Sequence, residues 1–456
     1  MTDYTALKSQ LRGDLIQPGD GNYNEVRKLY NAMIDKKPAA IARCVDVADV
    51  MACVNHARSN KILLAVRGGG HNGPGLGSCD GGLVIDLSRM RGVRVDPADK
   101  TAQVPGGCVW GDVDHATHPF GLAAPSGIIS TTGVGGLTLG GGIGHLSRKY
   151  GLTIDNLLSV DMVLADGSFV TANEKLNPDL FWAVRGGGGN FGVVTSFTFR
   201  LHPVSTVMAG PIFYAVEDAP AVMKEYERFI TTAPEELTGF FALMIVPPVD
   251  MFPKPLHMRT VCGIVWCSTA SPERTAELLK PVEKWAKPLL VGVGPVPFPA
   301  LQSLFDGLYT PGLQWYWKAD FVDHLTEESI ALHVKHGSKL PSMWSSMHLY
   351  PINGAVHRVG SGDTAFSYRK TKWAEVIIGV DPDPANKDKI TKWAKDYWDA
   401  VHPFSAPGAY VNFMMDEGTA RVEATYGPNY ARLQKIKAKV DPGNVFQVNQ
   451  NITPKA

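Results

Sequence analysis

The chain has 456 residues, room for about three structural units of ~150 residues each, and its 44 Lys plus Arg balance 44 Asp plus Glu to a formal net charge of zero. That balance provides no long-range field to draw in nucleic acid or anionic lipid, so neither is expected as a partner. With 45% hydrophobic and 19% charged residues, the composition is that of a folded globular protein and excludes a disordered one.

The opening Met1-Thr-Asp-Tyr-Thr-Ala-Leu-Lys8 has no basic segment ahead of an apolar core, and no apolar run reaches the ~18 residues of a membrane span; a cytoplasmic protein is expected. Residues 37–44 read as a short strand, 46–58 as an amphipathic helix with Asp46 as its N-cap, and 62–66 as a buried strand running into a glycine cluster. Strands follow at 83–87, 92–96 and 101–104, then a hairpin over 160–171 turned at Asp166-Gly167, then a strand over 192–201. From 205 to about 404 strand-like runs (260–266, 374–380) alternate with amphipathic helices (271–286, 327–337, 387–401). This reads as a second domain, a sheet with helices on one face, in an α+β chain. A closing helix over 430–440 stops at Asp441-Pro442.

Six Cys, at 44, 53, 79, 108, 262 and 267, form no CxxC pair, which argues against both a disulfide framework and a zinc site. The unusual feature is the clustering of 47 Gly at 67–82, 133–144 and 185–192, which implies a close approach to the backbone there. Two clusters match GxGxxG (Gly68, Gly70, Gly73 and Gly187, Gly189, Gly192), but neither runs straight into a helix, as the dinucleotide fingerprint requires. Loops whose N–H groups form nests for phosphate oxygens, without a helix, are expected instead. His71, among glycines, is placed to lie against a flat ligand and act as a nucleophile; a lone loop His is otherwise a solvent-facing side chain.

These motifs resemble the berberine-bridge-enzyme-like branch of the vanillyl-alcohol-oxidase/PCMH flavoproteins over nearly the whole chain. The carriers are Arg67-Gly-Gly-Gly-His-Asn72, Gly133-Val-Gly-Gly-Leu-Thr-Leu-Gly-Gly-Gly-Ile-Gly144, Arg148-Lys-Tyr-Gly-Leu-Thr-Ile-Asp-Asn156, Asp179-Leu-Phe-Trp-Ala-Val-Arg-Gly-Gly-Gly-Gly-Asn-Phe-Gly192 and Asp441-Pro-Gly-Asn-Val-Phe-Gln-Val-Asn-Gln-Asn-Ile452. The resemblance implies a PCMH-type FAD-binding domain over 1–204, an inserted substrate domain of antiparallel sheet covered by helices over 205–404, and a C-terminal segment, 405–456, returning to the first. It assigns to the flavin Arg67, Gly68, Gly69, Gly70, His71 and Asn72, then Gly127, Thr131, Thr132, Gly133, Gly136, Leu137, Gly140, Gly141, Gly142 and Gly144. Asp155, Asn156, Gly189, Gly192, Val193, Val194, Tyr410, Asn412, Asn449 and Asn451 complete the set. His71 falls on the family's 8α-histidyl attachment point. Gly127-Ile-Ile-Ser-Thr-Thr-Gly133 has Ile129 where many relatives carry a second, cysteinyl link, so a single covalent bond is expected, with Cys79 near the same loop left open.

The family's Leu-Glu-Pro-Tyr-Gly-Gly pattern aligns with Leu349-Tyr-Pro-Ile-Asn-Gly354, so Tyr350 replaces the acid, and His348 shares its strand face. Two roles are open for the pair: catalysis, with His348 as the base titrating near neutrality and Tyr350 orienting the substrate, or plain buried hydrogen bonding. Tyr410 and Asn412, on an expected strand, match the family's Tyr-x-Asn and join them as catalytic candidates, with sheet packing the alternative. Trp315 and Trp317 share one face of an aromatic strand and are expected to be core. Asp112, Asp114, His115 and His118 lie in a helix-start pattern with both His on one exposed face, and no metal is expected. The leading reading is an FAD-dependent oxidase passing hydride from a small alcohol or amine to flavin, with O2 as acceptor and H2O2 as product; a homodimer is compatible with it. A dehydrogenase using another acceptor and a non-catalytic flavin or ligand binder are the alternatives.

Overall fold

The computed structural model describes residues 3–455. Strands Ala40–Arg43, Leu83–Asp86 and Leu64–Arg67 lie parallel in that order, with Asp14–Ile16 antiparallel on the outer edge. The central strand is buried throughout, Leu83-Val-Ile85 as apolar residues covered on both faces and Asp86 by its ion pair with Arg67 at 2.8 Å. Helix Val47–Asn60 starts where the carboxylate of Asp46 accepts from Asp49 N at 3.1 Å, and it ends at Lys61, whose φ is 53°. The end of Leu64–Arg67 releases the first glycine loop.

A second, antiparallel sheet runs Arg94–Asp96, Thr101–Pro105, Val193–Arg200, Leu157–Val163, Phe169–Asn173. Its last two strands are joined through Asp166-Gly167, the glycine at φ 84°. The third sheet has eight antiparallel strands between 206 and 381, and one end of it runs Leu237–Ile245, Ser346–Pro351, Trp373–Asp381 and then the edge strand Gln314–Val322. Alternation along these strands divides the apolar side chains. Phe241, Leu243, Met347, Leu349 and Ile377 pack under helices Ala219–Thr232, Glu327–Gly337 and Lys387–Val401. Phe240, Ala242, Tyr350 and Val376 face the other way and share a core with Phe197, Val194 and Tyr410. The large sheet therefore lays its helix-free face against the glycine-bearing part of the chain. Among the described residues no helix is long and apolar enough to cross a membrane.

Three local expectations are corrected. The helix expected over 271–286 breaks into Pro272–Leu279 and a 3-10 turn at Val282–Lys284, because Pro281 cannot supply the N–H that would continue it. The second glycine cluster is not a bare loop: Val134–Gly140 is a helix, formed where Gly133 lets the chain enter against another backbone. Tyr410 and Asn412 do not alternate on a strand; Val411–Phe413 is a 3-10 turn, and the two side chains bond each other and the glycine helix instead of a ladder.

The C-terminal helix Tyr430–Val440 is tied down by a buried ion pair. Lys437 Nζ donates to Asp441 Oδ2 at 2.5 Å, Asn190 O at 2.7 Å and Phe446 O at 3.1 Å, while Asp441 accepts from the backbone N–H groups of Val445 and Phe446. Both side chains are fully buried. Removing one partner strands the other charge in the interior. Lys437→Ala should therefore cost ~3–5 kcal/mol in urea unfolding, whereas the exposed Arg432→Ala, whose target Asp179 is 57% exposed, should cost under ~1 kcal/mol.

Candidate active site

Where the large sheet meets the glycine loops lies a cavity of about 320 Å³. Its floor is backbone. A Cβ built on Gly69 would sit 2.4 Å from Gly133 N, and one on Gly133 would sit 2.3 Å from Gly69 N, so the first and second glycine clusters touch main chain to main chain. Gly136, also in the lining, is different: a Cβ there would meet nothing within 4 Å. Gly68 meets only Gly106 O at 3.4 Å. These glycines border open space that a side chain would occupy, which is the cradle a long cofactor such as FAD requires.

Of the residues expected to hold flavin, Arg67, Gly68, Gly69, Gly70, His71, Asn72, Gly127, Thr132, Gly133, Gly136, Leu137, Gly189, Gly192, Val193, Val194, Tyr410, Asn412 and Asn449 line this cavity. The others do not. Gly140, Gly142 and Gly144 are pressed against Asn412, Thr153 and Ser126, where a Cβ would come within 2.2 Å. Gly141, at φ 134°, packs beside Phe366 and Tyr410. Asp155 is held by Arg369 at 2.7 and 2.8 Å, and Asn156 bonds Tyr150 O, Leu152 O and His202. Thr131 Oγ1 and Asn451 Oδ1 are buried without a hydrogen-bond partner, outside the lining.

His71 is held by chain that sequence reading passed over. Tyr30 stacks on its ring at 3.7 Å between centroids and 21° between planes, and donates to Tyr309 O at 2.5 Å. Asn31, 1% exposed, donates to Gly73 O at 2.8 Å and Trp315 O at 3.0 Å and accepts from Trp315 N at 3.1 Å. One buried amide thus ties the histidine loop to the strand Gln314–Val322. Nothing in the run Leu29-Tyr-Asn-Ala32 marks it in advance, because both contacts lie far away in sequence. Burial, against a smaller opposing effect of a backbone hydrogen bond with Thr131, lowers the His71 imidazole to about 4, so it is neutral at pH 7 with a free lone pair. Cys79 lies off the cavity, its thiol pushed up to about 11 by burial.

At the other end, His348 Nδ1 and Tyr350 Oη are 2.7 Å apart, and Phe240 packs on both rings at 5.1 and 5.0 Å. Burial alone lowers His348 to about 3 and, with Tyr309 adding to the effect, raises Tyr350 well above 10. Burial works against the expectation that His348 titrates near neutrality: water is excluded from its imidazolium and no carboxylate replaces it. With both groups neutral, one hydrogen bond joins them and the imidazole tautomer sets its direction; with the ring proton on Nε2, Tyr350 O–H donates to Nδ1. The Tyr350 oxygen keeps a lone pair for a ligand.

Tyr410 Oη accepts from Gly142 N and Asn412 Nδ2, both at 2.8 Å, and Asn412 also donates to Leu137 O at 3.0 Å. The pair lines the cavity while clamping the glycine helix; burial raises Tyr410 to about 12. Trp315 and Trp317, expected as core, form the wall together with Phe305, Tyr309, Phe413 and Ile378. His115 is exposed and His118 half-buried at the helix end, so the two do not share an exposed face.

Residues 38–173 match the family model described as an FAD binding domain, and 409–453 that described as berberine and berberine like. The chain is 32% identical over 451 residues, 97% of its length and 95% of the other, to an FAD-linked oxidoreductase of Dictyostelium discoideum. Over 216 residues, 47% of each chain, it is 38% identical to (R)-6-hydroxynicotine oxidase of Paenarthrobacter nicotinovorans. The solved structure of BBE-like 1 from Physcomitrella patens superposes with a TM-score of 0.89 over 100% of both chains at 25% identity. Likeness of this extent, on a cavity floored by the same glycine loops that the family models match, places the chain in the berberine-bridge-enzyme-like family of FAD-linked oxidoreductases.

Proposed function

We propose that the protein is an FAD-dependent oxidase of a small alcohol or amine, with the cofactor carried on His71 by a single covalent link. The observation that carries the reading is the His348–Tyr350 pair, hydrogen-bonded and buried, on the wall of the cavity that the glycine loops floor. Bound FAD supplies the acceptor for a hydride equivalent and passes the electron pair to O2, giving H2O2. The chain contributes position, dryness and a proton path. Gly68 and Gly136 border the space for the cofactor, and His71, neutral and stacked on Tyr30, is the attachment residue. Ile129 and the remote Cys79 support one link and not two.

The substrate O–H or N–H donates to the lone pair of Tyr350 Oη. As the C–H bond breaks, that proton passes to Tyr350 and the Tyr350 proton moves to His348 Nδ1. Neither group is ionised at rest, so neither works alone as a base; the relay holds a proton only while charge develops on the substrate. Either substitution interrupts it. In anaerobic stopped flow, Tyr350→Phe and His348→Ala should each slow flavin reduction by ~10²–10⁴, and the double variant should be little worse than either single one. Since the His348 pKa is lowered to about 3, its neutral form persists from there upward, and the reduction rate should be flat from about pH 5 to 8. A limb near 6.5 that vanishes in His348→Ala would overturn the relay. Readmitting air to the bleached enzyme tests the oxidase half, by prompt return of the yellow colour with release of H2O2.

Two substitutions test the cradle. Gly136→Ala, in a helix and free of any protein contact, should leave the cofactor-free protein as stable or up to ~1 kcal/mol more stable, yet lower its FAD content. Gly133→Ala, which collides with Gly69, should lower both. On denaturing gels the flavin fluorescence of the protein band should disappear in His71→Ala.

A further inference from the structure

We propose that Asp306 is a positioning residue for the covalent bond between His71 and the cofactor, an inference that rests on the single link proposed above. Asp306 lies outside the cavity lining and acts through others. It braces the loop 126–132, whose main chain meets the His71 imidazole.

Two side chains four residues apart hold that loop at two points with the same spacing. Gln302 Nε2 donates to Ser126 Oγ at 2.5 Å. The Asp306 carboxylate accepts from Ser130 through both oxygens, Oδ1 from the backbone N–H at 3.1 Å and Oδ2 from the hydroxyl. All three bonds join positions 176 apart, so 302–306 lies in step alongside 126–130. Ile129, between the two points, packs in one apolar cluster with Tyr30 and Tyr309.

Hydrogen bonding along the loop sets which way Thr131 points. Ser130 O accepts from Gly111 N at 2.8 Å and Thr132 O from Trp110 N at 2.9 Å, both at the start of helix Trp110–Thr117. The Thr131 carbonyl between them is left for the opposite side, where its bond with the imidazole keeps a proton on the nitrogen it meets. The other ring nitrogen retains its lone pair. Tyr30, stacked on the ring and donating to Tyr309 O, restrains the imidazole from turning. One segment, 302–309, thus fixes His71 at its edge through Asp306 and on its face through Tyr309.

Orientation matters because of the bond to be made. The free nitrogen of His71 joins the 8α carbon of the flavin as one C–H bond of that carbon breaks. One proton leaves that carbon and one leaves the imidazole N–H; the electron pair of the C–H bond stays on the flavin, and O2 takes up two electrons and two protons as H2O2. A lone pair turned away from that carbon forfeits most of the rate, since alignment of reacting atoms is worth orders of magnitude.

Wild type, Asp306→Ala, Asp306→Asn, Ser130→Ala and His71→Ala are purified as holoproteins. Visible absorbance reads total flavin, and flavin retained in the acid-precipitated protein reads the covalent share, followed over time in air with added FAD. Asp306→Ala should hold FAD to within about twofold of wild type yet form the bond ~10-fold or more slowly. Ser130→Ala, which keeps only the backbone contact, should be ~3-fold or more slow, and Asp306→Asn, whose amide can still accept from the N–H and donate to the hydroxyl, should stay within about threefold of wild type. A bond formed within about twofold of the wild-type rate in Asp306→Ala, or in Ser130→Ala if Asp306→Ala does not fold, overturns the inference and leaves the single link standing. FAD content and covalent share that fall together would make Asp306 a brace of the binding site alone, and Asp306→Asn as slow as Asp306→Ala would assign the effect to charge; either result overturns it. If acid releases all the flavin of the wild type, the single link fails and the role of Asp306 fails with it.

Discussion

Exclusion of water without compensating charge governs this cavity. A titratable group that loses its hydration shell and gains no counterion stays in its neutral form. His71 and His348 are held far below their usual range and Tyr350 far above its own by that one cause. The result is an uncharged imidazole at one end and a hydrogen-bonded phenol–imidazole pair, also uncharged, at the other. Burial therefore decides the resting protonation of the groups that line the cavity.

Dryness of that kind depends on close packing at the seam between unlike parts of the chain. Gly69 and Gly133 bring two loops into main-chain contact, nearer than any side chain would allow. Asn31 then joins the histidine loop to the strand bearing Trp315 and Trp317 through a single amide. On the far side, Tyr410 and Asn412 hold the glycine helix by its N–H and C=O groups, and Lys437 fixes the C-terminal helix beneath Asn190. Each seam is made by polar groups whose hydrogen bonds are satisfied, so none brings a free charge to the cavity.

Legibility in the sequence followed the range of the interactions. Helices Glu327–Gly337, Lys387–Val401 and Tyr430–Val440 are readable to the residue, because caps and apolar periodicity are local. The helix across Pro281 was misread from the same periodicity, since the proline removes an N–H without disturbing the pattern. Tyr410 and Asn412 alternate like strand residues but are recruited into a turn by a glycine helix some 270 positions away in the chain. Half of the second glycine cluster, expected at the cofactor, has its Cβ positions closed off by packing: the space around a glycine is set by its neighbours in three dimensions, not by its own sequence.

By itself the sequence determined the chemical vocabulary: glycine loops that admit a backbone close to a ligand, a histidine set among them, a strand presenting His348 and Tyr350 on one face, and motifs sufficient to expect a flavin. Only the tertiary structure decided the protonation of those residues, the partners Tyr30 and Asn31, and the place of Trp315 and Trp317 in a buried aromatic cluster that also borders the cavity. Propensity and periodicity act over a few residues and are written in the chain. Desolvation and contact depend on which distant segments arrive at the same place, and they exist only once the chain has folded.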